Sequence, residues 1–482
     1  MTQIQDPATT ATTTLGPKPS ALDRFFKISE RSSTVSREIR GGITTFVAMA
    51  YVILLVPLIL GGVTDIDGNH LSIAQLTTAT AFSAGLSTVL MGLVGNVPLA
   101  LAAGLGVVPV VAFQAAPHMT WPQTMGLVVL MGVIIVIMAA TGLRTMIINA
   151  IPVALKHAIG VGIGMFIAMI GLVSSGVVGH GSPGGPPVTL GVDGHLQGWP
   201  VVVFAVGLLL MLALYVRKVP GAILISIAIA TLLGIVINAM ATIDPKSWGT
   251  VVPEAPDSLF ASPDFGLMFD VDLLGGFARA GGLAAGVVLF TLVLTGFFDA
   301  MGTVFGVCDE AKLLDEKGTM PGIGKILTVD GVAQIIGGAS GGAGSTVYVE
   351  SATGVGEGAR TGLTSVVTGG LFCLAVFFTP LAAVVPIQAA APALVLVGAL
   401  MMTQARKIDW NDLEIAVPAF ITIVLMPFTY SITNGVGAGL IAYVVIKAAR
   451  GKFREIHWLV AVVSVVFAAY FGINAIESVL GG

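Results

Sequence analysis

The 482-residue sequence is short of charged residues and of cysteine. Asp, Glu, Lys and Arg make up only 10% of it, and 55% is hydrophobic, whereas soluble domains carry about 25% charged residues. So few charges cannot cover a water-soluble globule, and they also exclude a disordered chain and a nucleic-acid-binding protein. Two cysteines, Cys308 and Cys373, exclude a disulfide framework and a metal-binding cysteine pattern. With a mean hydropathy of +0.97, the sequence predicts an all-α polytopic membrane protein.

Apolar runs divide the chain into candidate membrane segments. A membrane-spanning helix needs about 20 mostly apolar residues. Runs that reach or approach this length, numbered as segments 1–15, cover residues 43–61, 74–94, 98–116, 122–142, 151–174, 199–216, 220–240, 284–307, 323–340, 345–357, 361–380, 386–404, 412–431, 433–449 and 456–478. Segments 3 and 10 are Gly-rich or too short for an ordinary helix, so we expect broken helices there.

The basic residues predict the topology. If segments 1–14 all cross, only Lys246 and Arg279 of the 22 Lys and Arg residues fall on the outer side. Basic residues are retained in the cytoplasm, so fourteen crossings with a cytoplasmic N-terminal tail over residues 1–40 are predicted. That tail lacks the features of a signal peptide. Residues 453–482, with segment 15, form an additional hydrophobic element that either spans the membrane or lies at its interface.

Fourteen crossings divide into two copies of seven, which would have inverted topologies. Segments 5 and 12 share a spacing, since Pro152 precedes Gly164 as Pro386 precedes Gly398 by twelve residues. Segments 3 and 10 occupy equivalent places in the two copies, and broken helices at such places mark the central site of a transporter. Ser345 is expected to cap a half-helix beginning there.

Two acids lie deep in apolar segments. Asp299 is near the middle of segment 8, and Glu350 follows the Gly-rich part of segment 10. An ionised carboxylate at the centre of a membrane costs about 3 kcal/mol, so each acid should face a cavity, be paired or be protonated. Asp330 lies nearer a segment end and is a weaker candidate. Both deep acids suit a ligand rich in N–H donors and could carry a proton.

Several motifs then identify a family resemblance. The chain resembles the AzgA-like adenine/guanine/hypoxanthine permeases of the nucleobase–ascorbate, or xanthine/uracil permease, superfamily from about Glu38 to Trp458. The motifs that carry the resemblance are G-I-T-T-F-V-A-M-A-Y at 42–51, F-D at 298–299 with G-T at 302–303, S-T-V-Y-V-E-S-A-T-G at 345–354, R-T-G-L-T at 360–364, P-L-A at 380–382 and A-P-A-L at 391–394.

The resemblance implies a core and a gate domain within the inverted repeat. The core would comprise residues 41–148 and 284–383, the gate residues 149–242 and 384–452, and an extracytoplasmic loop residues 243–283. It also implies short extended stretches in segments 3 and 10, a nucleobase bound between the domains, proton symport and elevator-like movement of the core. By position, the substrate-binding residues would be Glu350, Asp299, Thr303, Val349, Leu105 and Ala48, with Asp299 and Glu350 also carrying the proton.

The sequence departs from the family pattern at polar positions. Val108 and Val56 replace usual asparagines, and Ala300 replaces a usual threonine. Lost hydrogen-bonding groups weaken discrimination between similar ligands, so these departures bear mainly on which base is recognised.

The predicted function is proton-coupled import of purine nucleobases across the plasma or inner membrane. We expect a nucleobase, protons and the bilayer as partners, with a homodimer as one assembly, and no nucleic acid, cofactor or metal. The alternatives are a transporter of the same fold for uracil, xanthine or another small planar or anionic solute, a channel, and a membrane-embedded enzyme. An enzyme is disfavoured because no nucleophile–base pair accompanies the acids.

Overall fold

Residues 20–141, 151–181, 186–192, 194–241, 243–256, 258–314 and 320–472 are described by the computed structural model of the chain. The first six described helices, in chain order, are α1 (Ala21–Phe26), α2 (Val35–Met49), α3 (Val52–Gly61), α4 (Ile73–Leu90), α5 (Val107–Val110) and α6 (Trp121–Thr141). The next five, which also start before residue 300, are α7 (Val153–Ser174), α8 (Trp199–Val216), α9 (Ala222–Met240), α10 (Gly275–Arg279) and α11 (Gly282–Glu310).

The remaining helices follow the second Gly-rich region or lead into it. They are α12 (Ile323–Ala339), α13 (Ser351–Gly356), α14 (Gly362–Ala375), α15 (Thr379–Ala382), α16 (Ile387–Met402), α17 (Leu413–Phe428), α18 (Ile432–Ala449) and α19 (Trp458–Phe471). Two short antiparallel pairs complete the fold: β1 (Leu101–Ala103) with β4 (Ser345–Val347), and β2 (Val178–His180) with β3 (Val188–Leu190).

The fold is predominantly helical and apolar. In the described ranges, nine helical stretches are long and apolar enough to cross a membrane, and four shorter apolar helices accompany them. Many of their large apolar side chains are exposed on the outside of the protein. A bilayer covers such surfaces, whereas water would not.

The helices pack as two groups. In the first, α12 packs against α6, and α14 packs against both α4 and α2. In the second, α16 packs against α7 and α8, and α17 packs against α7 and α18. Fewer contacts join the groups, chiefly α9 with α2 and α11 with α18. The cavities described below lie along this seam.

Glycine permits the close approach of α7 and α16. A Cβ atom added at Gly164 would lie 2.9 Å from the carbonyl oxygen of Gly398, and one added at Gly398 would meet the carbonyl oxygen of Gly164. Small residues let helix backbones approach closely in membranes. The two glycines that share a spacing after proline in the sequence are therefore in contact.

The predicted N-terminal tail over residues 1–40 contains helices in its second half. Residues 1–19 lie outside the described residues, but α1 is helical and α2 begins at Val35. Phe26 and Ile28 are 4% and 2% exposed and pack with Leu363. The physical reason is that two apolar side chains suffice to dock a short polar segment, which average composition does not reveal.

Glu38 joins this region to the start of α14. Its buried carboxylate accepts hydrogen bonds from the backbone N–H groups of Arg360, at 2.9 Å, and Thr361, at 3.1 Å. The hydroxyl of Thr364 donates a third at 2.5 Å. The carboxylate thus satisfies N–H groups that a helix start would otherwise leave without partners.

The additional C-terminal segment is a helix across the seam. Predicted segment 15 contains α19, whose 14 residues span about 21 Å at 1.5 Å per residue, less than the hydrocarbon core of about 30 Å. Residues 473–478 of that segment lie outside the described residues. Phe467 packs 5.9 Å from the ring of Phe290 on α11 and lies against Gly437 on α18. The helix therefore contacts both groups.

Candidate functional site

The site is built on the strands within segments 3 and 10. β1 and β4 pair with Leu101 opposite Val347, and the N–H of Gly104 donates to the carbonyl of Gly344 at 2.9 Å. Backbone inside a membrane protein must find hydrogen-bond partners within the protein. Each strand supplies those partners for the other, which permits extended chain at this depth.

Buried side chains hold the strand pair in place. The Thr88 hydroxyl donates to the carbonyl of Leu101 at 2.9 Å and accepts from its N–H at 2.8 Å. The Tyr348 hydroxyl donates to the carbonyl of Ala103 at 2.6 Å, and the Tyr348 N–H donates to the carbonyl of Ala100 at 2.9 Å. These hydrogen bonds fix the strand pair from both sides and so position the residues that follow it.

Glu350 follows β4 directly and precedes α13. The chain turns here, so Val349 is 60% exposed to the adjoining space while the Glu350 side chain is partly buried. The hydroxyl of Tyr51, a fully buried residue between α2 and α3, donates to Oε1 of Glu350 at 2.9 Å. This hydrogen bond uses one carboxylate oxygen and leaves Oε2 available to a ligand.

A central cavity brings the two predicted acids together. Asp299, from the middle of α11, and Thr303, one turn later, face the same cavity as Glu350. Leu105, which follows β1, and Val349 also line it. The complete lining is Leu105, Gly106, Asp299, Thr303, Val347, Tyr348, Val349, Glu350, Val397 and Met401. Residues of both helix groups therefore surround one small space.

A larger cavity, here called the vestibule, adjoins the central cavity and shares Asp299, Thr303 and Val349 with it. Its volume is about 490 Å³, within the range of small-molecule sites. It extends to the ends of α7 and α16. Its lining comprises Gly106, Lys156, His157, Ile159, Gly160, Ile163, Tyr215, Thr295, Asp299, Thr303, Val349, Leu400, Met401, Thr403, Gln404 and Lys407.

Another part of the seam is closed by aromatic and polar contacts. The ring of Tyr430 lies 5.2 Å from the rings of both Phe113 and Phe166, edge to face. Beside them, the N–H of Thr433 donates to the Gln114 side-chain oxygen at 3.2 Å, and the Thr433 hydroxyl donates to the same atom. These contacts join segment 3 to the second helix group.

The structure brings together most of the predicted site residues, but not all. Glu350, Asp299, Thr303, Val349 and Leu105 line the central cavity. Ala48, which lies on α2 one turn before Tyr51, lines neither of the two cavities.

The prediction for Ser345 is wrong. This residue lies within β4, and α13 begins six residues later at Ser351. Ser345 therefore caps no half-helix. The physical reason is that its backbone pairs with Ala103 in an extended conformation, so no helix starts at the glycines.

Sequence reasoning missed three side chains around the site. Tyr51 ends one of the motifs that carry the family resemblance, but nothing in that motif assigns it a role. Tyr215 and Met401 lie in apolar segments with no pattern that points to a binding site. Asp330 is fully buried and accepts a hydrogen bond from Thr346 at 3.2 Å. It is therefore more deeply buried than its predicted position near a segment end suggests. An acid among apolar residues was the signal available for Asp330. No comparable signal pointed to the other three.

The chemistry of the central cavity suits a neutral ligand with N–H donors. Its described lining contains two carboxyl groups and neither lysine nor arginine. A carboxylate only accepts hydrogen bonds, whereas a protonated carboxyl group also donates one. Among the described residues, no group of three His, Cys, Asp or Glu side chains could hold a metal ion.

Comparisons with protein families and curated proteins agree with one another. The Xan_ur_permease model, described as the Permease family, matches residues 36–438. The chain is 36% identical to the guanine/hypoxanthine permease PbuG of Bacillus subtilis (strain 168), over 93% of this chain and 99% of that protein. It is 37% identical to the adenine permease AdeP of Escherichia coli (strain K12), over 92% of this chain and 95% of that protein.

Solved structures show a related fold at low sequence identity. The transmembrane domain of the cyanobacterial bicarbonate transporter BicA superposes with a TM-score of 0.56 at 16% identity, covering 84% of this chain and 97% of that one. The inward-facing murine anion transporter Slc26a9 superposes with a TM-score of 0.58 at 10% identity, covering 93% of this chain and 77% of that one. At such identities the likeness concerns the fold alone.

Proposed function

Because the chain belongs to the Permease family represented by the Xan_ur_permease model, we propose that it is a proton-coupled importer of purine nucleobases. Its guanine/hypoxanthine and adenine permease relatives align over more than nine-tenths of its length. It is a transporter rather than an enzyme, and its substrate is a nucleobase. Adenine, guanine and hypoxanthine are the candidates that the relatives' names supply.

The observation that carries the proposal is the shared cavity of Asp299 and Glu350. A purine base is a flat molecule with ring N–H or amino donors, and a carboxylate accepts such donors with charge-assisted hydrogen bonds. Tyr51 holds one oxygen of Glu350 at 2.9 Å, which restricts the carboxylate to few orientations. Val349, which is 60% exposed beside Glu350, would lie against the base.

We assign proton carriage to Asp299, with Glu350 as the main contact to the base. A carboxylate that crosses the membrane unpaired costs about 3 kcal/mol, whereas its protonated form does not carry this cost. Protonation and base binding together would therefore favour the conformation able to cross. The same linkage makes import depend on the proton gradient.

The architecture we propose has fourteen crossings arranged as seven plus seven. Its support is the repeated packing pattern, in which α9 lies against α2 as α18 lies against α11, and the central pairing of β1 with β4. The core would be residues 41–148 and 284–383, and the gate residues 149–242 and 384–452. The core would move against the gate as an elevator, carrying Asp299 and Glu350 with it.

We also propose that the N-terminus and the mouth of the vestibule face the cytoplasm, in the plasma or inner membrane. Twenty of the 22 basic residues fall on that side when all fourteen segments cross. The aromatic contacts of Tyr430 would then close the outer part of the seam in this conformation. A homodimer stays a prediction, as no observation on the chain bears on it.

Uptake competition tests the function directly. Cells lacking other purine permeases would express the chain, and labelled adenine, hypoxanthine and guanine would be offered with and without an uncoupler. We expect concentrative uptake of at least one purine base, its loss with the uncoupler, and weak competition by uracil and xanthine. Preferred uptake of uracil or xanthine would overturn the purine assignment. Flux without accumulation would overturn the transporter mechanism in favour of a channel.

A further inference from the structure

The two ends of the vestibule carry opposite charges. Asp299 lies beside the central cavity, whereas Lys156, near the start of α7, and Lys407, beyond the end of α16, line the vestibule together with His157. Lys407 is exposed, and the other two side chains are partly buried in the wall. The proposed base site makes use of the acid. A neutral base does not require positively charged side chains along the vestibule.

The retention of basic residues on one side of the membrane explains why lysines lie near this end of the helices. It does not explain why two of them line the vestibule. Lys325, at the start of α12, illustrates the difference, since it is exposed and does not line the vestibule. A cleft with apolar walls and charges of one sign focuses the electric field and attracts ions of the opposite sign. Lysine ammonium groups are established partners of phosphate groups.

We propose that the vestibule binds a purine nucleoside monophosphate, with its base towards Asp299 and its phosphate at Lys156 and Lys407. The inference rests on the proposed function, because the base occupies the site assigned there to the transported purine. An acid at one end and cations at the other match a molecule with N–H donors at one end and an anion at the other.

The middle of the vestibule suits the sugar. Tyr215 and Gln404 line the wall together with Thr403, offering an aromatic face and an amide to a ribose or the edge of a base. The Gln404 side-chain oxygen lies 3.5 Å from Nδ1 of His157, so the amide adjoins the part of the wall that carries the lysines. The volume of about 490 Å³ also exceeds what a base alone requires.

The consequence is inhibition of import by a downstream product. An imported base is consumed by reactions that attach a sugar phosphate to a ring nitrogen, and the product of that class of reaction is the proposed ligand. A monophosphate that fills the vestibule would occupy the base site without being able to cross, since its charges raise the cost of moving the core. Accumulated nucleotide would then slow further uptake.

Competition against a labelled base on the purified protein tests the inference. The probe is the labelled purine that the protein binds, and the competitors are its nucleoside, its nucleoside 5′-monophosphate and inorganic phosphate. We expect the monophosphate to displace the base at about one-tenth of the nucleoside concentration, corresponding to one charge-assisted contact. Higher ionic strength should weaken the monophosphate and spare the base, because charge–charge attraction is screened.

Matched variants locate the phosphate. Lys407→Gln and Lys156→Gln should each remove most of the tenfold preference for the monophosphate and leave base affinity unchanged. Lys325→Gln is the control and should retain the preference. A monophosphate no better than the nucleoside, or a preference unaffected by Lys407→Gln, would overturn this inference and leave the proposed function standing. Failure of every purine base to bind would overturn both.

Discussion

The hydrogen bond between Tyr51 and Glu350 allows the base-binding role of Glu350 to be tested quantitatively. Glu350→Gln keeps the size of the side chain but replaces a charged acceptor by a neutral amide. Hydrogen bonds to charged groups contribute about 1 to 2 kcal/mol more than neutral ones. For one bond to the base through the remaining carboxylate oxygen this amounts to about 1–2 kcal/mol, or a loss of affinity of about 5- to 30-fold.

Tyr51→Phe provides the second side of a double-mutant cycle. The hydroxyl lies 2.9 Å from Oε1 of Glu350, so its removal frees the carboxylate to adopt other orientations. We expect base affinity to fall by about tenfold or less, since one hydrogen bond is worth about 1 kcal/mol. In the Glu350→Gln background the same change should have little further effect, because residues in direct contact are not additive.

The assay is equilibrium binding of the labelled base to purified protein, with uptake measured in parallel. Tyr430→Phe is the matched control, since this ring packs against Phe113 and Phe166 rather than against an acid, and it should leave affinity unchanged. Surface expression must be equal in all variants. Unchanged affinity and uptake in Glu350→Gln would refute the assignment of this residue, and additive effects in the cycle would refute the orienting role of Tyr51.

Three further changes test other parts of the structure. Asp299→Asn removes the proposed proton carrier, so accumulation of base should fall at least tenfold while exchange of labelled for unlabelled base continues. Glu38→Ala deprives three donors of their acceptor and should lower the free energy of unfolding by about 3 kcal/mol, seen as a lower Tm in detergent. Glu30→Ala, which removes an exposed ion pair with a lysine, should cost under about 1 kcal/mol. Gly337→Ala would press a methyl group of α12 against the backbone carbonyl oxygen of Ala343, just before β4, and should abolish transport, whereas the methyl group of Gly370→Ala meets open space and should be tolerated.

Each of these expectations has an outcome that contradicts it. Full accumulation against a gradient in Asp299→Asn would place proton coupling elsewhere. Equal Tm values for Glu38→Ala and Glu30→Ala would mean that the buried hydrogen bonds contribute no more than a surface pair. Normal uptake by Gly337→Ala would mean that the strands tolerate displacement from α12, against the close backbone packing seen there.

The sequence was most informative where the physical chemistry of membranes restricts which residues a segment can contain. Asp299 and Glu350 were found because an acid in an apolar segment needs a reason to be there. Segments 3 and 10 were singled out because glycine-rich runs there lacked the length and composition of an ordinary helix. These rules depend on the residue and its immediate neighbours, so folding is not needed to apply them.

Other features escaped prediction because they join parts of the chain that are remote in sequence. Tyr51 and Glu350 are 299 positions apart, and no local pattern in either segment pointed to the other. The docking of α1 through Phe26 depends on an apolar surface of α14 that lies more than 300 residues later. The error for Ser345 has a related origin, since a strand needs a partner and that partner, β1, lies in the other half of the chain.

The amino-acid sequence by itself determined that this protein lies in a membrane and carries two acids where acids are costly, since hydropathy and charge are properties of residues one at a time. Only the tertiary structure decided that the acids share one cavity, that two short strands support it, and that lysines face its entrance. Those features are distances between segments, and a distance is set when backbone groups within the bilayer find their hydrogen-bond partners across the two halves of the chain.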